Sequence, residues 1–265
     1  MTSLQRPAGG EAPAAIAARG VGYVYPDGRR ALSAVTFAVA PGEAVGVIGP
    51  NGTGKTTLFL ALAGLLGPTE GSIEVFGQEP RGAWSPELRR RIGIVFQSTD
   101  EQLFSPTVVD DVAFGPLNFG LPRSEVRLRA ERALAAAGIK DLGDRSPHHL
   151  SQGEKRRAAL ATVLSYEPEI LILDELTSDL DPRGRKELVT LLAGMGQIRI
   201  IASHDLEFIA RTCRRVLILN GGSLRSDLPA VEALTGRALL ESNGLEVPLG
   251  FGGLDGSGLE RLLNF

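Results

Sequence analysis

Short apolar segments recur along most of the chain, and several are continuous apolar runs rather than alternations of apolar and polar residues. Strands that helices cover on both faces have this composition. The segments predicted as strands are 21–25, 35–39, 44–48, 72–75, 92–96, 170–173, 198–202 and 216–219. An apolar segment of helical length, 58–66, follows one of them, so the pattern predicts an α/β fold built on a mostly parallel sheet.

The pattern becomes helical and irregular between residues 97 and 147. Ser124 is predicted to cap a helix whose apolar residues keep helical spacing until Gly138 ends it. Those apolar residues are Val126, Ala130, Ala133, Leu134 and Ala137. This segment predicts a helical subdomain, inserted at about 98–165.

Composition sets the remaining boundaries. Residues 1–18 are rich in Ala, Gly and Pro and lack a continuous apolar region, so we predict a mobile tail rather than a signal peptide. The main domain is predicted over 19–226, followed by an extension over 227–265. In that extension a helical pattern at 230–240 gives way to a glycine-rich stretch, 250–258, that the pattern leaves unassigned.

Charge and composition exclude several classes of protein. A net charge of −3 and a pI near 5.7 argue against a general electrostatic affinity for nucleic acid. The only cysteine, Cys213, excludes an intrachain disulfide and favours a reducing cytoplasm and a buried thiol. The apolar stretches are far shorter than the roughly 20 residues of a membrane-spanning helix. Any membrane role is therefore expected to be peripheral, through partner subunits.

The segment between the predicted strand 44–48 and the following helix fits the phosphate-binding pattern GxxxxGK[ST]. Glycines there let backbone N–H groups turn toward phosphate oxygens at the helix N-terminus. The predicted ATP-binding residues are Gly49, Asn51, Gly52, Thr53, Gly54, Lys55, Thr56 and Thr57. Lys55 supplies a cation for the outer phosphates and the Thr56 hydroxyl is placed to bind Mg²⁺. The alternative, an ordinary glycine-rich turn, gives no packing reason for the Lys-Thr pair.

Two adjacent carboxylates, Asp174 and Glu175, end the apolar strand 170–173. Like charges at a strand end repel and burial is costly, so catalysis explains them better than stability. Asp174 is predicted to hold Mg²⁺, and Glu175 to polarise a water for attack on the γ-phosphate. A solvated acidic turn is the alternative.

The octet 150–157, LSQGEKRR, precedes a helical run. Ser151 and Glu154 alone form a capping box, which would only start a helix. Placed just before the carboxylate strand, the octet resembles the LSGGQ signature of the ATP-binding cassette ATPases. That resemblance implies that Ser151, Gln152 and Gly153 contact the ATP held by the opposite subunit of a dimer.

The resemblance covers nearly the whole chain, with the motifs in the family's order, and implies a P-loop NTPase core with an antiparallel N-terminal β portion. Tyr25 resembles the aromatic residue that stacks on adenine, the alternative being a packing tyrosine. Gln97 resembles the glutamine that contacts Mg²⁺ and the attacking water. His204 resembles the histidine that contacts the γ-phosphate. Asp181, in the segment 178–181, resembles part of the loop that communicates across the dimer, the alternative being a polar turn at the start of a helix.

Two residues depart from the family pattern: Gln152 stands where glycine is usual after the signature serine, and Leu176 where proline is usual after the catalytic glutamate. Neither change removes a catalytic group. The first adds a side chain near the partner's phosphate and so bears on dimer closure, whereas the second should only loosen a turn.

Within the family the chain most resembles the ATPases of energy-coupling-factor importers, particularly the cobalt and nickel type. Segments 96–108, 111–118 and 147–151 carry this resemblance. The apolar residues in this region are either subdomain core or a groove for a helix of a membrane subunit. They are Leu103, Phe104, Val108 and Phe114.

The sequence therefore predicts an ATP-hydrolysing motor subunit, with ATP and Mg²⁺ as cofactors. Two copies, or a copy and a paralogue, would sandwich two ATP molecules at the cytoplasmic face of the membrane and drive an integral membrane partner. Two alternatives stay open at this stage. One is a soluble cassette ATPase that acts on nucleic acid or ribosomes, and the other is a non-hydrolysing, nucleotide-gated scaffold motivated by Gln152.

Overall fold

The structure is a computed structural model that describes residues 14–80, 84–178, 180–247 and 251. Its strands are β1 (Ile16–Val24), β2 (Arg30–Val39), β3 (Ala44–Ile48), β4 (Glu70–Val75), β5 (Ile92–Val95), β6 (Ile170–Asp174), β7 (Ile198–Ala202), β8 (Arg215–Asn220) and β9 (Ser223–Pro229). Its helices are α1 (Lys55–Leu62), α2 (Pro86–Arg90), α3 (Val108–Asn118), α4 (Arg123–Ala136), α5 (Gln152–Leu164), α6 (Pro182–Ala193), α7 (Leu206–Thr212), α8 (Ala230–Thr235) and α9 (Arg237–Ser242).

The larger sheet has the strand order β5-β6-β7-β3-β8-β9. All neighbouring pairs are parallel except β8 with β9, which pair as an antiparallel hairpin. The carboxyl ends of parallel strands meet at one edge of a sheet, where α/β proteins bind ligands. The ends of β3, β6 and β7 are therefore neighbours, although they are far apart in sequence.

A smaller antiparallel sheet, in the order β2-β1-β4, packs beside the larger one. The alternation of side chains along β6 shows how the core is divided. Ile170 and Ile172 join the apolar cluster shared with the small sheet and α1, whereas Leu171 and Leu173 join a second cluster with α6 and α7. Full burial of such a side chain stabilises the fold by about 1.5–3 kcal/mol. Both faces of the sheet are thus covered, which is why these strands are continuously apolar.

Helices α3, α4 and α5 form the helical subdomain around a third apolar cluster. Helix α5 belongs to two clusters, because Ala158 and Ala161 face the subdomain while Leu160 and Val163 face the main sheet. The helix therefore connects the inserted subdomain to the catalytic core. Across the described ranges, we find no helix with the length and apolar character needed to cross a bilayer.

Several predicted boundaries are wrong. Strand β1 begins at Ile16, so the last residues assigned to the mobile tail are buried in a sheet. A β-bulge between Ala18 and Val21, next to Gly20, interrupts the apolar pattern, so the pattern did not predict the first part of this strand. Residue 227 was predicted to start an extension, but it lies inside β9.

Helix boundaries also differ from prediction. Pro122, not Ser124, is the N-cap of α4, and its carbonyl oxygen accepts a hydrogen bond from the Val126 N–H at 3.0 Å. Helix α1 begins at Lys55 rather than 58, and the helical pattern at 230–240 is divided at Gly236 into α8 and α9. Apart from residue 251, the unassigned stretch 250–258 lies outside the described residues.

Candidate active site

A cleft of about 240 Å³ lies where the ends of β3, β6 and β7 meet. Most of the residues predicted to bind or hydrolyse ATP line this cleft, together with one residue that the motifs did not include, Arg29. The lining residues are Arg29, Asn51, Gly52, Gly54, Lys55, Thr56, Thr57, Gln97, Asp174, Glu175 and His204.

The loop between β3 and α1 has backbone conformations that require glycine. Gly54 has φ +100°, and a Cβ atom at this position would lie 2.5 Å from the Ala31 carbonyl oxygen. Gly52 has φ +75°, which is also in the left-handed region. Among the described residues, no side chain caps α1, because Gly54 occupies its N-cap. The first N–H groups of this helix are therefore left for an anion or for water.

Lys55 is folded back over this loop. Its Nζ donates to the carbonyl oxygens of Gly49 at 2.7 Å and Pro50 at 3.0 Å. Burial lowers the pKa of Lys55, while the nearby carboxylates of Glu175 and Asp174 act in the opposite direction. The cation is thus held beside the cleft by dipoles that a phosphate can replace. Thr53 has a structural contact instead, since its hydroxyl donates to the Pro50 carbonyl oxygen at 2.9 Å.

Asp174 and Thr56 form a pair of hard oxygen ligands. The Thr56 hydroxyl donates to Asp174 Oδ2 at 2.9 Å. Burial raises the pKa of Asp174, the Thr56 hydrogen bond lowers it, and Glu175 raises it further. Since Mg²⁺ in phosphate sites binds one or two carboxylates and takes other ligands from water and phosphates, this pair fits Mg²⁺. No cluster of three or more His, Cys, Asp or Glu side chains able to hold a metal was found in the described ranges.

Glu175 lies directly after β6 in a left-handed conformation, φ +52°, which is strained for a residue other than glycine. Its backbone N–H donates to the Ala202 carbonyl oxygen at 3.0 Å, and its Oε2 accepts from the His204 backbone N–H at 3.3 Å. The carboxylate is buried. Its Oε1 lies 3.4 Å from His204 Nε2, but in the described structure this oxygen has no partner with hydrogen-bond geometry. A buried acceptor beside an anion-binding loop is suited to taking a proton from water.

Gln97 is exposed at the cleft, just after β5. Its carbonyl oxygen accepts from Arg156 Nη1 at 3.0 Å, and Arg156 Nε donates to the Ser178 carbonyl oxygen at 3.0 Å. Arg156, on α5, thus joins the Gln97 loop to the loop that follows Glu175. The residue belongs to the octet 150–157, but sequence reasoning assigned it no role, because its contacts depend on how α5 packs.

Tyr25 does not line the cleft but touches it indirectly, since its hydroxyl lies 3.0 Å from the Thr57 hydroxyl oxygen. The ring packs edge to face with Tyr23, the centroids lying 4.9 Å apart. Packing therefore accounts for part of the environment of Tyr25, while its position beside Thr57 also suits a role at the nucleotide.

The signature residues are absent from the cleft of their own chain, as are Gly49, Thr53 and Asp181. Ser151 and Glu154 form a complete capping box at the start of α5, as the sequence predicted. Ser151 and Gln152 remain exposed at that helix N-terminus. Asp181 caps α6, its Oδ1 accepting from the Gly184 N–H at 2.7 Å. Residue 179 lies outside the described residues.

The apolar residues after Gln97 divide into core and surface. Leu103 and Val108 are buried in the subdomain cluster, so the groove interpretation is wrong for them. Phe104 and Phe114 are 63% and 46% exposed. The centroids of their rings lie 4.9 Å apart, in an edge-to-face arrangement. Leu117, which is 49% exposed, lies three residues after Phe114 on α3 and therefore on the same side of that helix. We call these three residues the apolar patch.

Sequence comparison gives one family. The ABC transporter family profile matches residues 32–178. An ABC transporter ATP-binding protein of Streptomyces coelicolor is 46% identical, over 91% of this chain and 93% of its own length. The energy-coupling factor transporter ATP-binding protein EcfA of Methanothermobacter thermautotrophicus is 43% identical, over 87% of this chain and 76% of its own length. The chain belongs to the ABC transporter ATP-binding family.

Comparison with solved structures gives the same family. The cbiO1 protein of Clostridium perfringens, part of the ABC transporter complex cbiONQ, superposes with a TM-score of 0.76 at 36% identity, over 90% of this chain and 98% of that one. A dimeric ATP-binding cassette in a post-hydrolysis state, bound to ADP and Pi, gives 0.74 at 26% identity, over 81% and 98%. The predicted fold class is confirmed. The chain is an ATPase, an ATP-binding subunit of the energy-coupling-factor class of ABC transporters.

Proposed function

We propose that this ATPase is the motor of an importer for a micronutrient, with cobalt or nickel as the cargo. The observation that carries the motor assignment is the cleft, in which Lys55, the Thr56–Asp174 pair and Glu175 converge. The cargo rests on the likeness to cbiO1, which is part of a cbiONQ complex. A subunit of this kind works at the cytoplasmic face of the membrane through an integral membrane partner.

In this proposal the glycine loop and Lys55 bind the β- and γ-phosphates, and Lys55 exchanges the Gly49 and Pro50 carbonyls for phosphate oxygens. Thr56, Asp174 and Gln97 would hold Mg²⁺, which neutralises phosphate charge. Glu175 accepts a proton from the attacking water at its unpartnered Oε1. His204, whose backbone N–H holds the other Glu175 oxygen, contacts the γ-phosphate.

The dimer supplies what the single chain lacks at its cleft. Ser151, Gln152, Gly153 and Asp181 lie outside the cleft of their own chain, and Ser151 and Gln152 are exposed. We assign these residues to the nucleotide bound by a second ATPase subunit, identical or paralogous. The N-terminus of α5 then points its partial positive charge at the partner's γ-phosphate.

The patch formed by Phe104, Phe114 and Leu117 is the proposed docking surface for a helix of the membrane subunit. Exposed aromatic residues that touch one another favour burial against an apolar partner. Nucleic acid has no role in the proposed function.

A turnover assay tests the motor function. Glu175→Gln should lower the ATP hydrolysis rate by about 10²–10⁴-fold, because it removes the proton acceptor, and it should keep ATP binding and favour the closed dimer. Lys55→Ala should instead lose nucleotide binding. Glu207→Gln, an exposed carboxylate on α7 paired with Arg211, is the matched control and should keep the wild-type rate. Unchanged turnover in Glu175→Gln, alone and with the partner subunits, would exclude the proposed role of Glu175.

A further inference from the structure

Arg29 lines the nucleotide cleft but belongs to none of the motifs. It ends the turn between β1 and β2, and two hydrogen bonds fix its backbone. The Tyr25 N–H donates to the Arg29 carbonyl oxygen at 2.9 Å, and the Arg29 N–H donates to Asp27 Oδ1 at 2.9 Å. The backbone of Arg29 is therefore held in a defined position beside the cleft.

The side chain of Arg29 connects two parts of the site. Its guanidinium carbon lies 4.4 Å from the centroid of the Tyr25 ring, over the aromatic residue proposed to stack on adenine. The same residue lines the cleft with Lys55 and Thr57. Arg29 thus lies over the ring that is expected to stack on the base, and it also lines the cleft that is expected to hold the phosphates.

The contacts described for Arg29 hold this side chain weakly. It is 65% exposed, and its ion pair with Asp27 is long, 4.0 Å from Nε to Oδ2. A cation over an aromatic ring at an exposed site is a modest interaction. The neighbouring Arg30 differs, since both of its Nη atoms donate to Glu70 at 2.8 Å. Arg29 can therefore change partner at low cost, whereas Arg30 would have to break two hydrogen bonds to Glu70.

We propose that Arg29 is a nucleotide-binding residue that exchanges the Tyr25 ring for phosphate oxygens when ATP enters. Adenine takes the ring surface that the guanidinium leaves, and the guanidinium donates to the phosphates through its planar pair of N–H groups. Arg29 thereby couples base stacking to phosphate recognition, and selects for phosphorylated ligands over the nucleoside. This inference rests on the proposed ATP site.

The test compares ligands with and without phosphate. Isothermal titration calorimetry with Mg²⁺ gives the affinity for ATP, and displacement of ATP gives the affinity for adenosine. Arg29→Ala should weaken ATP binding by about two- to fivefold, as expected for one ion pair at an exposed site, and leave adenosine binding unchanged or tighter. Arg29→Lys should recover part of the loss. Arg30→Gln, the adjacent arginine outside the cleft lining, should bind both ligands as wild type does.

The outcomes separate three cases. ATP affinity in Arg29→Ala equal to or tighter than wild type would overturn the inference, because the guanidinium would then only cover the ring. An equal loss for ATP and adenosine would also overturn it, since Arg29 would be a support for the base. Failure of the wild type to bind ATP would contradict the proposed function itself.

Discussion

Leu103 and Phe104 are neighbours in sequence with opposite environments, so the same substitution should have different effects at the two positions. Leu103 is 5% exposed within the helical subdomain cluster, and Phe104 is 63% exposed in the apolar patch. We expect Leu103→Asp to impair folding and Phe104→Asp to impair docking on the membrane partner.

The structure gives the size of each effect. Leu103→Asp loses about 1.5–3 kcal/mol of apolar burial and adds the larger cost of a buried, unpaired carboxylate, a total of at least about 4 kcal/mol. In a domain of this size, 1 kcal/mol shifts the unfolding temperature by about 2–4 °C, so Tm should fall by more than about 8 °C. Phe104→Asp loses chiefly the ring contact with Phe114, about 0.5–1.5 kcal/mol, so Tm should fall by less than about 6 °C.

Two assays separate these effects. Thermal unfolding measures Tm, and co-purification with the membrane subunits measures docking. Leu65→Asp is the control, because Leu65 is 53% exposed in the turn after α1, outside the helical subdomain. It should leave docking unchanged. Wild-type docking by Phe104→Asp would refute the assignment of the patch, and equal Tm losses at the two positions would refute the division into core and surface.

Three further predictions concern the site and the core. Burial raises the pKa of Asp174, so ionised Asp174 destabilises the folded chain, and the penalty grows as pH rises above the ordinary value of 3.8. Asp174→Asn should therefore raise the Tm of the nucleotide-free protein at pH 8 and raise it less at pH 5; an equal or reversed difference would contradict this. Tyr25→Ala should raise the ATP concentration for half-maximal activity about tenfold, as expected for a lost stacking contact, and leave the maximal rate nearly unchanged. Tyr25→Phe should be tolerated. Equal ATP affinity of Tyr25→Ala and wild type would leave Tyr25 a packing residue. Burial raises the pKa of Cys213 to about 12, so the native thiol should resist alkylation at pH 8 and react at once in denaturant, and rapid labelling of the folded protein would argue against this environment.

The fully buried strands were predictable because burial on both faces leaves a continuous apolar run. Strands β3 and β7 have the predicted ends, 44–48 and 198–202. Strand β9 was missed because it is an edge strand with the sequence SLRSDLP, in which half-exposed and exposed residues give no apolar signal. Its formation depends on pairing with β8, which local sequence does not encode.

In the candidate site too, contacts between distant parts of the chain could not be predicted from local sequence. The glycine loop and the carboxylates at the end of β6 were predictable, because their chemistry requires residue types that a fold seldom uses there for stability. Arg29 and Arg156 are ordinary arginines in sequence, and only tertiary packing places one over Tyr25 and the other against two loops. Leu103 and Phe104 follow Gln97 in a segment without helical or strand periodicity, so sequence did not tell which side chain points inward.

Among its contacts with described residues, Arg156 connects α5 to two loops of the site. Ser151, the N-cap of α5, is proposed to contact the neighbour's nucleotide. Arg156, on the same helix, donates to the carbonyl oxygens of Gln97 and Ser178, which belong to the loops on either side of the proposed catalytic carboxylate of its own chain. In the proposed dimer, a tilt of α5 that follows γ-phosphate release in one subunit is expected to displace both loops of the other site. The two ATP molecules should therefore be consumed with a Hill coefficient above one, and a single Glu175→Gln subunit in a mixed pair should slow its active neighbour.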